Sequence, residues 1–163
     1  MTVDALSSRQ VRAILCCSCL VLSACSPAPV PGSRSAVDPT TQPWYADTLK
    51  DVNTLVQGAR QAIHDRKPDA ASALIQRGEP LSARLLSVPH ATLAATEAAS
   101  DLDELYAQML FSNRNYGWAR LMYQKNLSRW KYWKPATPET QRRLKEVQSE
   151  IAECDRRLEG STP

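Results

Sequence analysis

The stretch 106–133, YAQMLFSNRNYGWARLMYQKNLSRWKYW, decides how this chain folds. It holds eight of the ten aromatic residues in the sequence, so we expect it to lie at the centre of the fold. Two structures compete for it. In the first, one helix runs through the stretch and places large side chains seven residues apart. In the second, residues 112–115 (SNRN) form a turn between two helices, because asparagine tolerates the left-handed conformation and polar residues interrupt the apolar pattern. We favour the turn.

Amphipathic helices are predicted on both sides of this stretch. Apolar residues in 44–64 repeat at alternating steps of four and three, which is the period of a helix with one buried face. The segment 68–87 keeps that period, although Pro80 in its middle is predicted to kink or split it. A further helix begins near residue 91. Since no segment alternates like a strand, we predict an all-α fold, a small bundle of four to five amphipathic helices.

The last helix carries start and stop signals. Thr137 is a suitable N-cap, and Glu139 lies in the first turn, where the helix dipole favours a carboxylate. Gly160 is a suitable end. Cys154 lies on the apolar stripe of this helix, where a thiol behaves as a small hydrophobe. We therefore expect a buried thiol there rather than a crosslink between chains.

The amino terminus has the pattern of a signal peptide. Two arginines precede an apolar run at 13–24, whose 12 residues are too few to cross a hydrocarbon core of ~30 Å. The run ends in Leu22-Ser23-Ala24-Cys25, which resembles the lipobox of bacterial lipoproteins. The resemblance implies that residues 1–24 are removed, that the Cys25 thiol receives diacylglycerol, and that its new amine is acylated. By the sorting rule of enteric-type lipoproteins, Ser26 after the cysteine implies the outer membrane, with the domain facing the periplasm.

This processing leaves a simple mature chain. Three cysteines lie in the removed segment and Cys25 carries lipid, so of five cysteines only Cys154 remains and no intrachain disulfide is possible. Residues 25–43 are then the lipidated cysteine and a Pro-rich tether, predicted to be disordered, before a helical domain at 44–160. Removal of two arginines and one aspartate lowers the net charge from +3 to +2, which does not indicate a nucleic-acid binder.

Part of the aromatic stretch matches the spacing of a known helical repeat. The stretch 115–116 (Asn-Tyr), with Ala119, Tyr123 and Leu127, resembles the second helix of a tetratricopeptide repeat and its entry turn. The match covers about 30 residues, 103–133. The preceding helix departs from the repeat, because Asp103 stands at the expected tryptophan position. Since no second copy appears at the repeat spacing, we interpret the match as a shared helical-hairpin geometry.

No catalytic or metal-binding pattern is evident. Gly-x-Ser-x-Gly and Gly-rich phosphate loops are absent from the sequence. Neither His64 nor His90 has a partner at the spacing of a bundle metal site, and we expect His64 on the surface. We expect no enzyme, no metal site, no small-molecule substrate and no cofactor besides the lipid. Three carboxylates on one helix face are interpreted as solvated: Glu97, Asp101 and Glu104.

The stretch 129–134, RWKYWK, interleaves cations with aromatic rings. Such a sequence can contact lipid headgroups, stack on sugars or bases, or anchor a protein partner. Alternatively, Trp130 and Trp133 face the core and the cations are the solvated side of a helix end. We predict that five residues contact a partner: Trp118, Arg129, Trp130, Tyr132 and Trp133.

The predicted function follows from the anchor, the tether and the helices. We expect an outer-membrane-anchored periplasmic lipoprotein that acts as a non-catalytic adaptor or assembly factor for an envelope protein complex. The alternative is a module that binds peptidoglycan or anionic glycolipid through the basic aromatic stretch 118–134.

Overall fold

The structure, a computed structural model, describes residues 37–160, and every long segment in that part of the chain is helical. The predicted signal peptide, Cys25 and most of the tether lie outside the described residues. A short 3-10 helix at Pro39–Thr41 precedes five α-helices. The all-α prediction is confirmed. The helices are α1 (Pro43–His64), α2 (Pro68–Leu86), α3 (Leu93–Ser112), α4 (Tyr116–Tyr132) and α5 (Pro138–Glu159).

Within residues 37–160, none of the helices combines the length and the apolar character that crossing a bilayer requires.

The helices pack in sequence order, each against the next, and α1 also packs on α3. Their short connections make neighbouring helices antiparallel. One apolar cluster joins α1, α2 and α3 and includes Val52, Ile75 and Leu102. A second joins α4 and α5 to the end of α3 and includes Tyr123 and Val147. Because α5 packs mainly on α4, a groove remains between α3 and α5.

Residues 112–115 lie at a turn between two helices, as predicted. Helix α3 ends at Ser112 and α4 begins at Tyr116, so the continuous helix is wrong. The left-handed residue is Arg114, at φ 60°, rather than an asparagine, and the Asn115 N–H donates to the Leu110 carbonyl at 2.8 Å. This bond caps the carbonyl end of α3 as in a Schellman motif.

The α1–α2 connection repeats that geometry. Arg66 has φ 58°, and the Lys67 N–H donates to the Ala62 carbonyl at 2.8 Å. Two helical hairpins in this chain therefore turn in the same way, although their sequences differ.

Helix α2 is not split. It runs unbroken from Pro68 to Leu86 with Pro80 inside it. Pro80 is exposed, whereas Ala71, Ile75 and Leu85 hold the opposite face in the core. The tertiary contacts of that face outweigh the hydrogen bond that proline cannot donate.

The ends of the later helices follow their capping residues. Thr92 caps α3, accepting from the Ala95 N–H at 3.2 Å. Thr137 caps α5 as predicted, in a reciprocal box with Thr140. Gly160 is the C-cap of α5, with a right-handed φ of −72°. Cys154 is buried, as predicted, and burial, followed by the nearby Glu150 carboxylate, raises the pKa of its thiol.

Candidate functional site

The five residues predicted to contact a partner do not form one surface. Trp118 and Tyr132 are 65% and 72% exposed on the outer side of α4. Trp133, just after α4, is half-buried. Trp130 is only 3% exposed, and the Arg129 side chain is 15% exposed. The side chains of Trp130 and Arg129 thus lie mainly inside the domain, so neither belongs to the predicted contact surface.

Trp130 and Arg129 belong to a polar network between α3 and α4. The Trp130 Nε1–H donates to Ser100 Oγ at 3.0 Å, and Asn126 Nδ2 donates to the Ser100 carbonyl at 3.0 Å. Asp103 is buried and accepts from Arg129 Nη1 at 2.5 Å. Lys125 Nζ also donates to Asp103, at 2.9 Å. The carboxylate that breaks the tetratricopeptide pattern is thus the centre of the α3–α4 contact.

The groove between α3 and α5 contains two adjacent cavities. At one end lies a cavity of about 600 Å³ lined by apolar side chains that include Ile63, Met109 and Phe111. At the other end lies a cavity of about 550 Å³ with a charged lining. The two cavities share the side chains of Tyr123 and Glu150, so they are adjacent parts of one groove.

The arginines of the charged end are already paired. Arg143 donates to Asp101 at 2.7 Å and to Glu139 at 3.0 Å, which ties α5 to α3. Arg142 pairs with Glu139 and Glu146. The prediction that Asp101 is merely solvated is therefore wrong, because its position brings it within reach of an arginine on another helix.

The carboxylates at the centre of the groove have no such partner. Among the described residues, neither Glu104 nor Glu150 forms an ion pair, and Glu104 accepts only from Gln108 Nε2, at 3.1 Å. Burial, and next the Asp101 charge, raise the pKa of Glu104. Burial, and next the Glu150 carboxylate, raise the pKa of the buried Tyr123. A cation placed beside Glu104 would favour the charged form of its carboxylate.

The other sequence candidates take no part in these surfaces. His64 is exposed, as predicted, and His90 is also exposed. No cluster of three or more potential metal ligands occurs within residues 37–160.

Three residues of these surfaces escaped the sequence analysis. Leu121 is 48% exposed and lies beside Trp118 on α4. Its spacing of three from Trp118 was an available signal. Tyr123 from α4 and Glu150 from α5 both line the two cavities, and nothing in their local sequence indicates that they lie close together.

Comparison with known proteins gives no precedent for these surfaces, since no family model, no curated protein and no solved structure matches the chain. The lipobox and tetratricopeptide resemblances therefore remain predictions from the residues that carry them.

Proposed function

We propose that this protein is a lipid-anchored periplasmic adaptor or assembly factor of the outer membrane, and that the groove between α3 and α5 holds a segment of its protein partner. One observation supports the proposal: a mainly apolar cavity and a charged cavity lie side by side and share the side chains of Tyr123 and Glu150. A groove of this kind accepts a side chain at each end and main chain between them.

The apolar end favours a bulky hydrophobic side chain. Ile63 comes from α1, and Met109 and Phe111 come from α3. Tyr123 from α4 and Glu150 from α5 complete the lining, so the cavity is assembled by the packing of several helices. Burial of one large apolar side chain there is worth about 1.5–3 kcal/mol.

The centre of the groove favours a basic side chain. Arg142 and Arg143 are occupied by carboxylates, which leaves Glu104 and Glu150 as the acceptors. We infer a partner segment in which an apolar residue and a lysine or arginine lie close together. Charge pairs of this kind fix the register of a bound segment.

Site-specific photocrosslinking in cells tests this proposal. A photoreactive amino acid replaces Gln108, an exposed residue at the rim of the apolar cavity, in the full-length chain expressed in a Gram-negative host. The matched control carries it at Gln148, which is exposed on α5 and does not line either cavity. We expect a discrete protein adduct from position 108 and none from position 148.

The double variant Glu104→Gln, Glu150→Gln connects the adduct to the groove. It keeps the side-chain shapes and removes the negative charge, so we expect the yield of adduct at position 108 to fall at least about fivefold. An adduct that forms equally from both positions, or that is unchanged in the double variant, contradicts the groove as the partner site.

The anchor has its own test. Labelled palmitate should be incorporated into the wild-type chain and not into the Cys25→Ala variant, which should also lose its outer-membrane location. Incorporation that survives Cys25→Ala contradicts the anchoring residue and leaves the groove experiment unaffected.

A further inference from the structure

The outer face of α4 is a surface separate from the groove. Trp118, Leu121, Lys125, Ser128 and Tyr132 follow one another at alternating steps of three and four, and all five are exposed. They form one stripe along the helix, which we call the α4 stripe. Three of its members are among the most exposed large hydrophobic residues of the described domain. A stripe with tryptophan and tyrosine at its two ends is typical of a helix that contacts a membrane surface or another molecule.

The charge around the α4 stripe has one sign. No aspartate or glutamate occurs between Glu104 and Glu139. Every other α-helix in the described range contains acidic residues, whereas α4 contains none. Asp103 and Asp155, from the neighbouring helices, neutralise two of the cations. An excess of positive charge remains among the basic residues of this region: Arg114, Arg120, Lys125, Arg129, Lys131 and Lys134.

The tether begins at the same end of the bundle as Tyr132. The Tyr45 hydroxyl, near the start of α1, accepts from the Thr92 N–H at 3.1 Å, so α1 and α3 start side by side. Trp130, near the end of α4, contacts Ser100 in the first half of α3. Helix α4 therefore ends where α1 starts, next to the point at which residue 37 continues toward Cys25.

The distance to the lipid is compatible with direct contact between α4 and the membrane. Twelve residue steps separate Cys25 from Val37, which allow at most about 40 Å. Helix α4 has 17 residues and is about 25 Å long. The anchored domain is thus free to place the whole length of α4 on the surface of the membrane.

We propose that the α4 stripe lies on an anionic phospholipid surface, with Trp118, Leu121 and Tyr132 at the headgroup level and Lys131 and Lys134 beside the phosphates. Aromatic rings are stable at that depth, and basic side chains near an anionic leaflet each add roughly one kcal/mol. The membrane location rests on the proposed anchor, whereas the affinity of the stripe for lipid is a property of the folded domain.

Vesicle binding by the chain from Ser26 to Pro163, which carries no lipid, measures that affinity directly. This chain retains every described residue and thus every contact of the helical domain. We expect it to sediment with vesicles of equal parts phosphatidylglycerol and phosphatidylcholine, and to bind at least about tenfold more weakly to pure phosphatidylcholine. Added salt should weaken the binding to the anionic vesicles.

Matched variants locate the surface. Lys131→Gln with Lys134→Gln removes two basic residues and should weaken binding to the anionic vesicles about tenfold to thirtyfold. The control, Lys50→Gln with Lys145→Gln, removes two exposed lysines from α1 and α5 and should change it less than about threefold. Trp118→Ser with Tyr132→Ser should weaken it by about tenfold or more. Circular dichroism verifies that each variant is folded.

Several outcomes overturn the proposal. Absence of binding to the anionic vesicles does so, and so does equal binding to both kinds of vesicle. Binding that requires anionic glycolipid in the vesicles would assign the α4 stripe to that ligand instead. Loss of a crosslinked protein partner in Trp118→Ser with Tyr132→Ser, without a change in vesicle binding, would assign it to a protein. The vesicle-binding results bear neither on acylation of Cys25 nor on the groove adduct.

Discussion

Helix α3 contacts its neighbours on its two sides through different kinds of interaction. The difference explains which side chains remain exposed. Toward α1 and α2 it presents small and aliphatic side chains such as Ala95, Ala98 and Leu102. Toward α4 it presents Ser100 and Asp103, which are buried and hydrogen-bonded. Apolar contacts specify a face of a helix, whereas hydrogen bonds also specify how the helix is rotated and shifted.

This second kind of contact decides what the outer side of α4 contains. With Trp130 and Asn126 bonded to Ser100, the opposite side of α4 carries Trp118 and Tyr132. A rotation of α4 would break the buried bonds before it could bury that stripe. The polar network therefore keeps the aromatic residues of the α4 stripe exposed.

The largest effect is expected from Asp103→Ala. The substitution leaves the Arg129 guanidinium, with its side chain 15% exposed, without its carboxylate, which should lower the free energy of unfolding by about 3–5 kcal/mol. Urea unfolding followed by circular dichroism measures the loss. Asp155→Ala is the control, because the Arg120–Asp155 pair has the same 2.5 Å distance but side chains 35% and 41% exposed. It should cost less than about 1 kcal/mol. Equal losses would mean that burial of the α3–α4 pair adds nothing.

A smaller effect is expected from Trp130→Phe. Phenylalanine fills most of the space but leaves the buried Ser100 hydroxyl without the indole donor, which should cost about 2 kcal/mol in the same urea experiment. Trp118→Phe should change the stability by less than about 0.5 kcal/mol, because that ring is largely in solvent. A similar loss in both variants would contradict the division of the tryptophans into core and surface.

The sequence predicted the features that depend on local pattern. Apolar periodicity located α1 within one residue of its start, and the Thr137 signal located the start of α5. The run SNRN favoured the α3–α4 turn over a continuous helix, because four polar residues in a row interrupt the apolar pattern of a buried helix face.

Features that depend on the rotation of a helix could not be read from that pattern. Arg129 and Trp130 are neighbours in a basic aromatic run, yet both lie inside because Asp103 and Ser100 face them across the α3–α4 contact. The continuity of α2 through Pro80 likewise depends on which side faces solvent. The groove needs Tyr123 and Glu150 from different helices to meet, and a single sequence carries no signal for that.

On the apolar side of α3, Gly78→Ala tests how closely α2 approaches. An added Cβ would lie 2.8 and 2.9 Å from the two methyl groups of Leu102, which is buried and cannot move freely. Overpacking of this kind outweighs the gain in helix propensity, so we expect a net loss of about 1 kcal/mol. In Gly58→Ala the new Cβ would be 3.3 Å from Leu74, a longer distance to a side chain that is only half-buried.

Gly58→Ala should therefore be neutral or stabilising by about 0.5 kcal/mol. Thermal unfolding of the two variants side by side decides the matter. If Gly78→Ala is also neutral, Leu102 repacks readily and the apolar side of α3 is more tolerant than its contacts indicate.

The smallest effect is expected in the groove, where Glu104 is only partly buried. Its pKa is raised in the folded protein by burial and by the Asp101 charge, so between its ordinary value of 4.5 and the folded value the native state binds more protons than the unfolded state. The contribution of Glu104 to the free energy of unfolding therefore falls as the pH rises through that window. Glu104→Gln removes the titration and should make the variant more stable than wild type at neutral pH, with the advantage disappearing below pH 4.5. Urea midpoints across that range measure the difference.

Glu146→Gln is the control, because this exposed carboxylate is paired with Arg142, and its loss should not raise the stability at neutral pH. If Glu104→Gln is less stable than wild type at neutral pH, the carboxylate has a stabilising partner and the groove is not short of positive charge, which would remove the reason to expect a basic residue in the bound segment.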